Sequence, residues 1–336
     1  VSLFDDIIKY SSVSIVGLAK NAGKTECLNY ILRKAAFSDR CFGVTSIGLD
    51  GESQDQVTQT SKPEIEFTPG TVFVTSEKHF SQKKLTAEIL EISDNSTALG
   101  RLIVARAITP GKVIISGPAD TTSLKELIQK SKSWGVDTLL VDGALSRLSL
   151  ASPAITDALI LATGAVVSKN IPELTRKTKF IYDLICLEEA DELTKQLLED
   201  KETGVWSIDE NGEVHQLAIP SILMFEQYKD ELLKYGNTLF TPGIVSDKLL
   251  QFLRMQKEIQ EIVLIIKDFT RIFASPETCY AFLKKGGKIK VLWDSKPLAV
   301  SINPTSPDGY VLDSDKLKAS IEEAIHVPVY DVKRCD

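Results

Sequence analysis

The stretch Val13 to Thr25, Val-Ser-Ile-Val-Gly-Leu-Ala-Lys-Asn-Ala-Gly-Lys-Thr, constrains this chain more than any other. A short run rich in β-branched residues precedes a loop of small residues ending Gly23-Lys24-Thr25, and apolar residues then recur at helical spacing (Leu28, Ile31, Leu32, Ala35). This order predicts strand, tight loop and helix. Such a loop offers backbone N–H groups, and the free N–H groups of a helix start, to an anion without side-chain bulk. The expected site is a phosphate loop for a nucleoside triphosphate, formed by Gly17, Ala19, Lys20, Asn21, Ala22, Gly23, Lys24 and Thr25. Lys24 would reach the β- and γ-phosphates, Lys20 would add a second positive charge near the γ-phosphate, and the Thr25 hydroxyl would join a Mg²⁺ shell. Five residues rather than the usual four separate Gly17 from Gly23, and Leu18 stands where the first glycine is usual. An ordinary strand-to-helix turn with a surface lysine is the competing reading.

Two acidic strand ends extend the pattern. Ser46-Ile-Gly-Leu-Asp50-Gly-Glu52 sets two carboxylates just beyond a predicted strand, where open parallel sheets bind ligands. Asp50 is the preferred magnesium ligand and Glu52 the nearest candidate to orient an attacking water. A solvated Asp-Gly turn competes with both. Further on, the apolar run Leu139-Leu140-Val141 ends at Asp142-Gly143-Ala144, so Asp142 is expected to face Thr25 across the metal. Arg147, in the adjoining loop, is a candidate phosphate contact as well as an ordinary surface arginine.

At 336 residues the chain is long for a single core. Strands are expected over 13–18, 41–47, 71–75, 85–92, 102–107, 112–116 and 157–162, with 102–107 and 112–116 forming a hairpin around Pro110-Gly111. Helices are expected over 24–36 and 124–133, the second capped by Thr121, Thr122 or Ser123, and over 172–198. The charged break 199–204 separates a nucleotide-binding domain, 1–200, from a second α/β domain, 205–336. In the latter, 205–208 and 214–217 flank Asn211-Gly212 as a hairpin. The pieces 288–293 and 298–302 read as two strands around an Asp294-Ser295 turn. Asp268, Asn303 and Asp331 read as turn or capping residues. The expected fold class is α/β: a P-loop NTPase with a mostly parallel sheet, and a second α/β domain of partner- or client-binding role.

Charge and composition exclude several classes. A net charge of −7 argues against nucleic acid or an anionic membrane as partner. The longest apolar stretch, 158–167, is too short to span a bilayer. No signal-peptide pattern precedes the first strand. Five scattered cysteines without a C-x-x-C pair suggest reduced thiols and a cytoplasmic setting. His79, His215 and His326 show no ligand spacing, so neither zinc nor haem is expected, and each reads as a surface or loop residue.

With these motifs in place, the first 165 residues resemble P-loop NTPases of the dethiobiotin synthetase branch. They share the long spacing from Gly17 to Lys24-Thr25, and Val-Asp142-Gly-Ala is similar to that family's magnesium strand. The resemblance implies Mg²⁺ held by Thr25, Asp50 and Asp142. The second strand lacks the family's substrate lysine, which counts against biotin synthesis. Nearly the whole chain resembles the ATP-binding subunit of lysine 5,6-aminomutase and ornithine aminomutase reactivases. That resemblance rests on Gly-Leu-Ala-Lys20-Asn21-Ala-Gly-Lys-Thr, Val-Asp142-Gly-Ala-Leu-Ser-Arg147, Ile-Leu-Ala-Thr-Gly164, Ile-Asn303-Pro and Val-Pro-Val-Tyr-Asp331-Val. It implies a larger partner subunit related to mismatch-repair ATPases, and an adenosylcobalamin-dependent aminomutase client from which damaged cobalamin is released. No Asp-x-His-x-x-Gly motif surrounds any histidine, so cobalamin itself is expected to stay on the client. Two other classes stay open: an ATP-dependent ligase or synthetase acting on a small carboxylic acid, and a nucleotide-binding regulatory module without turnover.

Overall fold

The computed structural model describes residues 2–47, 65–97, 99–144 and 155–335. The strands, in chain order, are β1 Ser12–Gly17, β2 Phe42–Ser46, β3 Glu66–Phe67, β4 Val72–Ser76, β5 Ala87–Thr97, β6 Gly100–Ala107, β7 Gly111–Lys112, β8 Thr138–Ala144, β9 Ala158–Gly164, β10 Glu188–Glu189, β11 Trp206–Ile208, β12 Val214–Gln216, β13 Thr238–Thr241, β14 Val263–Ile266, β15 Lys288–Val291, β16 Pro297–Asn303 and β17 Val329–Tyr330. The chain is α/β with large, mostly parallel mixed sheets.

A nine-stranded sheet runs β17-β16-β9-β1-β8-β2-β4-β6-β5. All neighbours from β17 to β4 are parallel, and only β6 and β5 are antiparallel. β1 lies inside the sheet between β9 and β8, every residue of it buried, as are those of β9. Near-continuous apolar runs of this kind belong to parallel strands covered on both faces. The helix after β1, α2 (Lys24–Ala35), turns Cys27, Leu28, Ile31, Leu32 and Ala35 inward, as the spacing predicts. Burying each of the leucine and isoleucine side chains contributes roughly 1.5–3 kcal/mol. The chain leaves β1 towards β2 on one side, while β9 flanks it on the other. Such a divergence opens a ligand crevice at the carboxyl ends of the strands.

The division into compact units differs from two consecutive blocks. One unit comprises 1–182 and 295–336, the other 183–294. The last forty-odd residues return to the first sheet because β16 pairs with β9, from Pro297 beside Leu159 to Asn303 beside Gly164. Hence 288–293 and 298–302 do not pair with each other. β15 lies instead in the six-stranded sheet β10-β15-β14-β13-β11-β12. A turn signal marks where the chain bends, but parallel partners come from distant sequence, across crossovers.

Other boundaries shift for local reasons. The expected helix 172–198 is split into α5 (Ile171–Ile185), β10 and α6 (Glu192–Leu198), with the Asp191 side chain accepting from Thr194 N to start α6 anew. The hairpin of the first unit joins β5 to β6, not 102–107 to 112–116. Its turn uses Gly100 at φ +90°, while Gly111–Lys112 pairs with β3. The polar end of β5 extends past the expected strand because an edge strand need not alternate. The helix Thr121–Ser131 (α4) is capped by Asp120, which accepts from Ser123 N at 2.8 Å, rather than by a hydroxyl within the helix. In the second unit, β11 and β12 form the expected antiparallel hairpin. No helix among the described residues is long and apolar enough to cross a membrane.

Candidate functional site

β1 ends at Gly17, and α2 begins at Lys24 after six intervening residues. Within the loop, Leu18 N donates to Ala162 O of β9, which keeps the first step on the sheet. Asn21 takes φ +62°, and Gly23 takes φ +104° at the helix cap. That left-handed pair turns the chain back over its own strand. A side chain at Gly23 would also collide with Asn303, whose Cβ lies 2.9 Å from where a Cβ would stand. Glycine is therefore needed there twice over, for φ and for space.

Because the cap is a glycine, α2 has no side-chain cap among the described residues. The other helices of eight or more residues are different. Asp120, Asn170, Ser246, Ser275 and Asp313 each accept from a first-turn N–H of their helices. The start of α2 thus keeps free donors and the positive end of its dipole. Lys24 and Thr25 stand on this first turn, both partly exposed.

The stem of Lys24 lies back across Gly17, whose hypothetical Cβ would meet Lys24 Cγ and Cδ at 3.0 Å. Its ammonium reaches β8, where Lys24 Nζ is 3.2 Å from Asp142 Oδ1. The parallel register sets Ile15 beside Asp142, so the carboxylate sits near the end of the strand adjoining β1. Asp142 Oδ1 is buried and has no hydrogen-bond partner: the ammonium is close but not aligned. On the far side of β8, Ser46 is in register with Asp142, and Ile47 N donates to Asp142 O. Gly17, Lys24 and Asp142 are therefore brought together, and Thr25 follows Lys24 on the first turn of α2. Ala19, Lys20, Asn21 and Ala22 form the loop over them, with Lys20 exposed and Ala22 buried. Asp50, Glu52 and Arg147 lie outside the described residues.

Sequence reasoning missed the third wall. Asn303 was read as a turn residue, and its Oδ1 does accept from Thr305 N. Yet β16 delivers it against Gly23, and its carbonyl is so near Gly164 that a Cβ there would stand 2.1 Å away. The loop beyond it is fastened to the start of α5 by an ion pair between Lys169 and Asp308, with Lys169 also 5.4 Å from the Tyr310 ring centre. The Lys169 ammonium and the Ser306 hydroxyl hold the Asp308 carboxyl down at about 2. Gly164 and Asn303 each close an apolar run, and they are in register at the ends of β9 and β16. Only the β9 to β16 pairing shows that the two belong together.

α2 is anchored from behind. Cys27 is fully buried with the Ser301 hydroxyl as its hydrogen-bond partner, and burial pushes its thiol up to about 12. It is inert packing rather than a nucleophile.

Two of the three histidines differ from expectation, while His326 is an exposed loop residue as expected. His79 is buried, with Nδ1 3.0 Å from Ser116 Oγ, so it is neither a surface nor a loop residue. His215 stacks on Tyr235 with ring centres 4.3 Å apart. The β11–β12 hairpin gathers Asp209, Glu213 and His215 within metal-ligand reach of one another, a grouping missed because alternation across a turn is not a spacing motif. Asp209 is already occupied: Oδ1 accepts from Asn211 N and Glu213 N, and Oδ2 meets His215 Nε2 at 2.8 Å. Asp268 and Asp331 serve in turns, as expected.

In comparisons with known proteins, no family model, no curated protein and no solved structure matches this chain.

Proposed function

We propose that this protein binds Mg²⁺-ATP at the carboxyl end of β1 and hydrolyses it in the service of a partner. The observation that carries the reading is the uncapped start of α2, with Lys24 and the buried, unbonded Asp142 oxygen beside it. An uncapped helix start favours a phosphate, and a carboxylate oxygen without a hydrogen-bond donor suits a cation.

In this reading the loop N–H groups and Lys24 hold the phosphates, while Thr25 and Asp142 hold the magnesium, joined by Asp50. Magnesium, when bound, neutralises charge on the phosphate oxygens. Lys20 adds positive charge near the γ-phosphate, Glu52 orients the attacking water, and Arg147 contacts phosphate. Catalysis would come from positioning and electrostatic stabilisation rather than from a covalent group on the chain. The resemblance of the motifs supports a narrower role. ATP turnover would drive release of damaged cobalamin from an adenosylcobalamin-dependent aminomutase, together with a larger ATPase-like subunit. Nucleotide state must then bias binding of client or partner, or no work is transmitted.

The test is MgATP binding by calorimetry and phosphate release, each with and without an aminomutase client carrying inactivated cobalamin. The expected outcome is binding by the chain alone and phosphate release stimulated by the client. Stimulation by a small carboxylic acid with a stoichiometric adduct would replace the reading with that of a ligase. Tight binding without turnover under any condition would leave a regulatory module.

A further inference from the structure

We infer that the second compact unit carries a carboxylate site at the end of β14, where the Lys267 ammonium takes a small monocarboxylate with an apolar body in place of the Glu202 side chain. The inference is independent of the nucleotide reading, and it draws on no helix start.

Lys267 directly follows β14, at the carboxyl end of the parallel strands β13, β14 and β15. Open sheets of this kind bind ligands at that end. The Lys267 side chain keeps only 5% of its surface exposed, and its ammonium lies 2.6 Å from a carboxylate oxygen of Glu202. A buried ammonium needs a counter-charge, and here a mainly solvated group supplies it. The Glu202 side chain is 75% exposed. Its residue stands between α6 and β11, outside any helix or strand.

The two sides of this pair respond differently to a competing anion. Glu202 returns to water at little cost, because it is already solvated. Lys267 releases Glu202 cheaply only when another anion takes its place, since a buried charge left alone is the costly state. One ammonium matches one negative charge, so a monocarboxylate fits better than a phosphate dianion, whose second charge would enter without a partner. Trp293 sets the apolar body. Its backbone N–H donates to Lys267 O at 3.0 Å, and its half-buried ring lies 5.7 Å from the ammonium. The ring also packs against the core of Phe240, Ile265 and Leu292. A carboxylate at Lys267 therefore has an aromatic wall beside it for a ring or a short chain.

The test uses benzoate as probe on the full chain without nucleotide, at constant ionic strength, by calorimetry and thermal denaturation, with inorganic phosphate as a second anion. Benzoate is expected to bind the wild type, and to bind Glu202→Gln several-fold more tightly because the internal competitor is gone. Glu202→Gln alone should melt below the wild type, since Lys267 loses its counter-charge, and benzoate should restore the lost stability. In Lys267→Met, and in the double variant, both binding and rescue should be lost. A Glu202→Gln protein that benzoate neither binds nor stabilises would overturn the site, and that arm does not depend on Lys267→Met folding. Equal stabilisation of Lys267→Met by benzoate would also overturn it, by placing the binding elsewhere. Phosphate binding to Glu202→Gln as tightly as benzoate would overturn the carboxylate assignment. None of these outcomes bears on MgATP binding in the first unit, which the experiment under the preceding heading tests by itself.

Discussion

The carboxyl ends of the parallel strands in the two units look alike in outline and differ in what they leave open. In the second unit, β13 and β14 lead to helices Asp247–Arg254 (α8) and Pro276–Lys284 (α9), each started by a serine that accepts from the first turn. Ser275 is further tied to Asp247, donating from Oγ at 2.6 Å. The hydroxyls take those helix starts, and an anion finds little there. In the first unit, β1 leads to α2 through Gly23, which has the required left-handed backbone and no side chain to offer. The difference teaches that a strand–helix turn becomes a candidate site by withholding a cap, at a cost in helix stability that a ligand recovers.

Substitutions that reverse this contrast have graded effects. Lys24→Ala should weaken MgATP binding by about 100-fold or more, since it removes a charge-assisted contact. Circular dichroism should show the fold retained. A variant that binds MgATP normally would remove the distinction between the two helix starts. Next comes Gly23→Ala, which forces a side chain into φ +104° and against Asn303. A stability loss of about 1–3 kcal/mol is expected. The same substitution in an Asn303→Gly background should lose the collision but keep the backbone penalty, so the two denaturation midpoints separate these contributions.

On the other side of the contrast, Ser275→Ala should cost about 1 kcal/mol of stability as the cap of α9 is lost. Its MgATP affinity should match the wild type; a matching loss of affinity would show that the two units do not act separately.

The smallest effect concerns the loop that presents Asn303. The Asp308 carboxyl is held down at about 2 by Lys169 and Ser306, below its unfolded value of 3.8. A depressed folded pKa contributes stability that is present above pH 3.8 and lost as pH falls towards 2. Lys169→Ala should raise the Asp308 titration towards the ordinary carboxylate range, as carboxyl NMR shifts would record. An unchanged titration would mean that the loop is held by other contacts.

Much of the candidate site was legible because its chemistry is local. Gly17 to Thr25 lies within one strand–loop–helix unit, and β-branched alternation followed by helical spacing displays that unit directly. Asp142 was legible for a similar reason, an acid closing an apolar run. His79 was not, because nothing around it in sequence shows that Ser116 comes back to meet it. Nor was the Asp209, Glu213 and His215 grouping, which depends on how a hairpin turn folds its own side chains.

What the sequence determined by itself was the set of strands and helices near β1 and the residue types presented at their ends, since backbone preference and hydrophobic period act over a few residues. The tertiary structure decided which ends meet. It returned 295–336 to the first sheet, so that Asn303 confronts Gly23, and it set Lys24 against Asp142. Parallel pairing joins residues more than a hundred positions apart through crossovers. No local pattern in the chain encodes such a meeting, because it is selected by the burial of whole sheet faces.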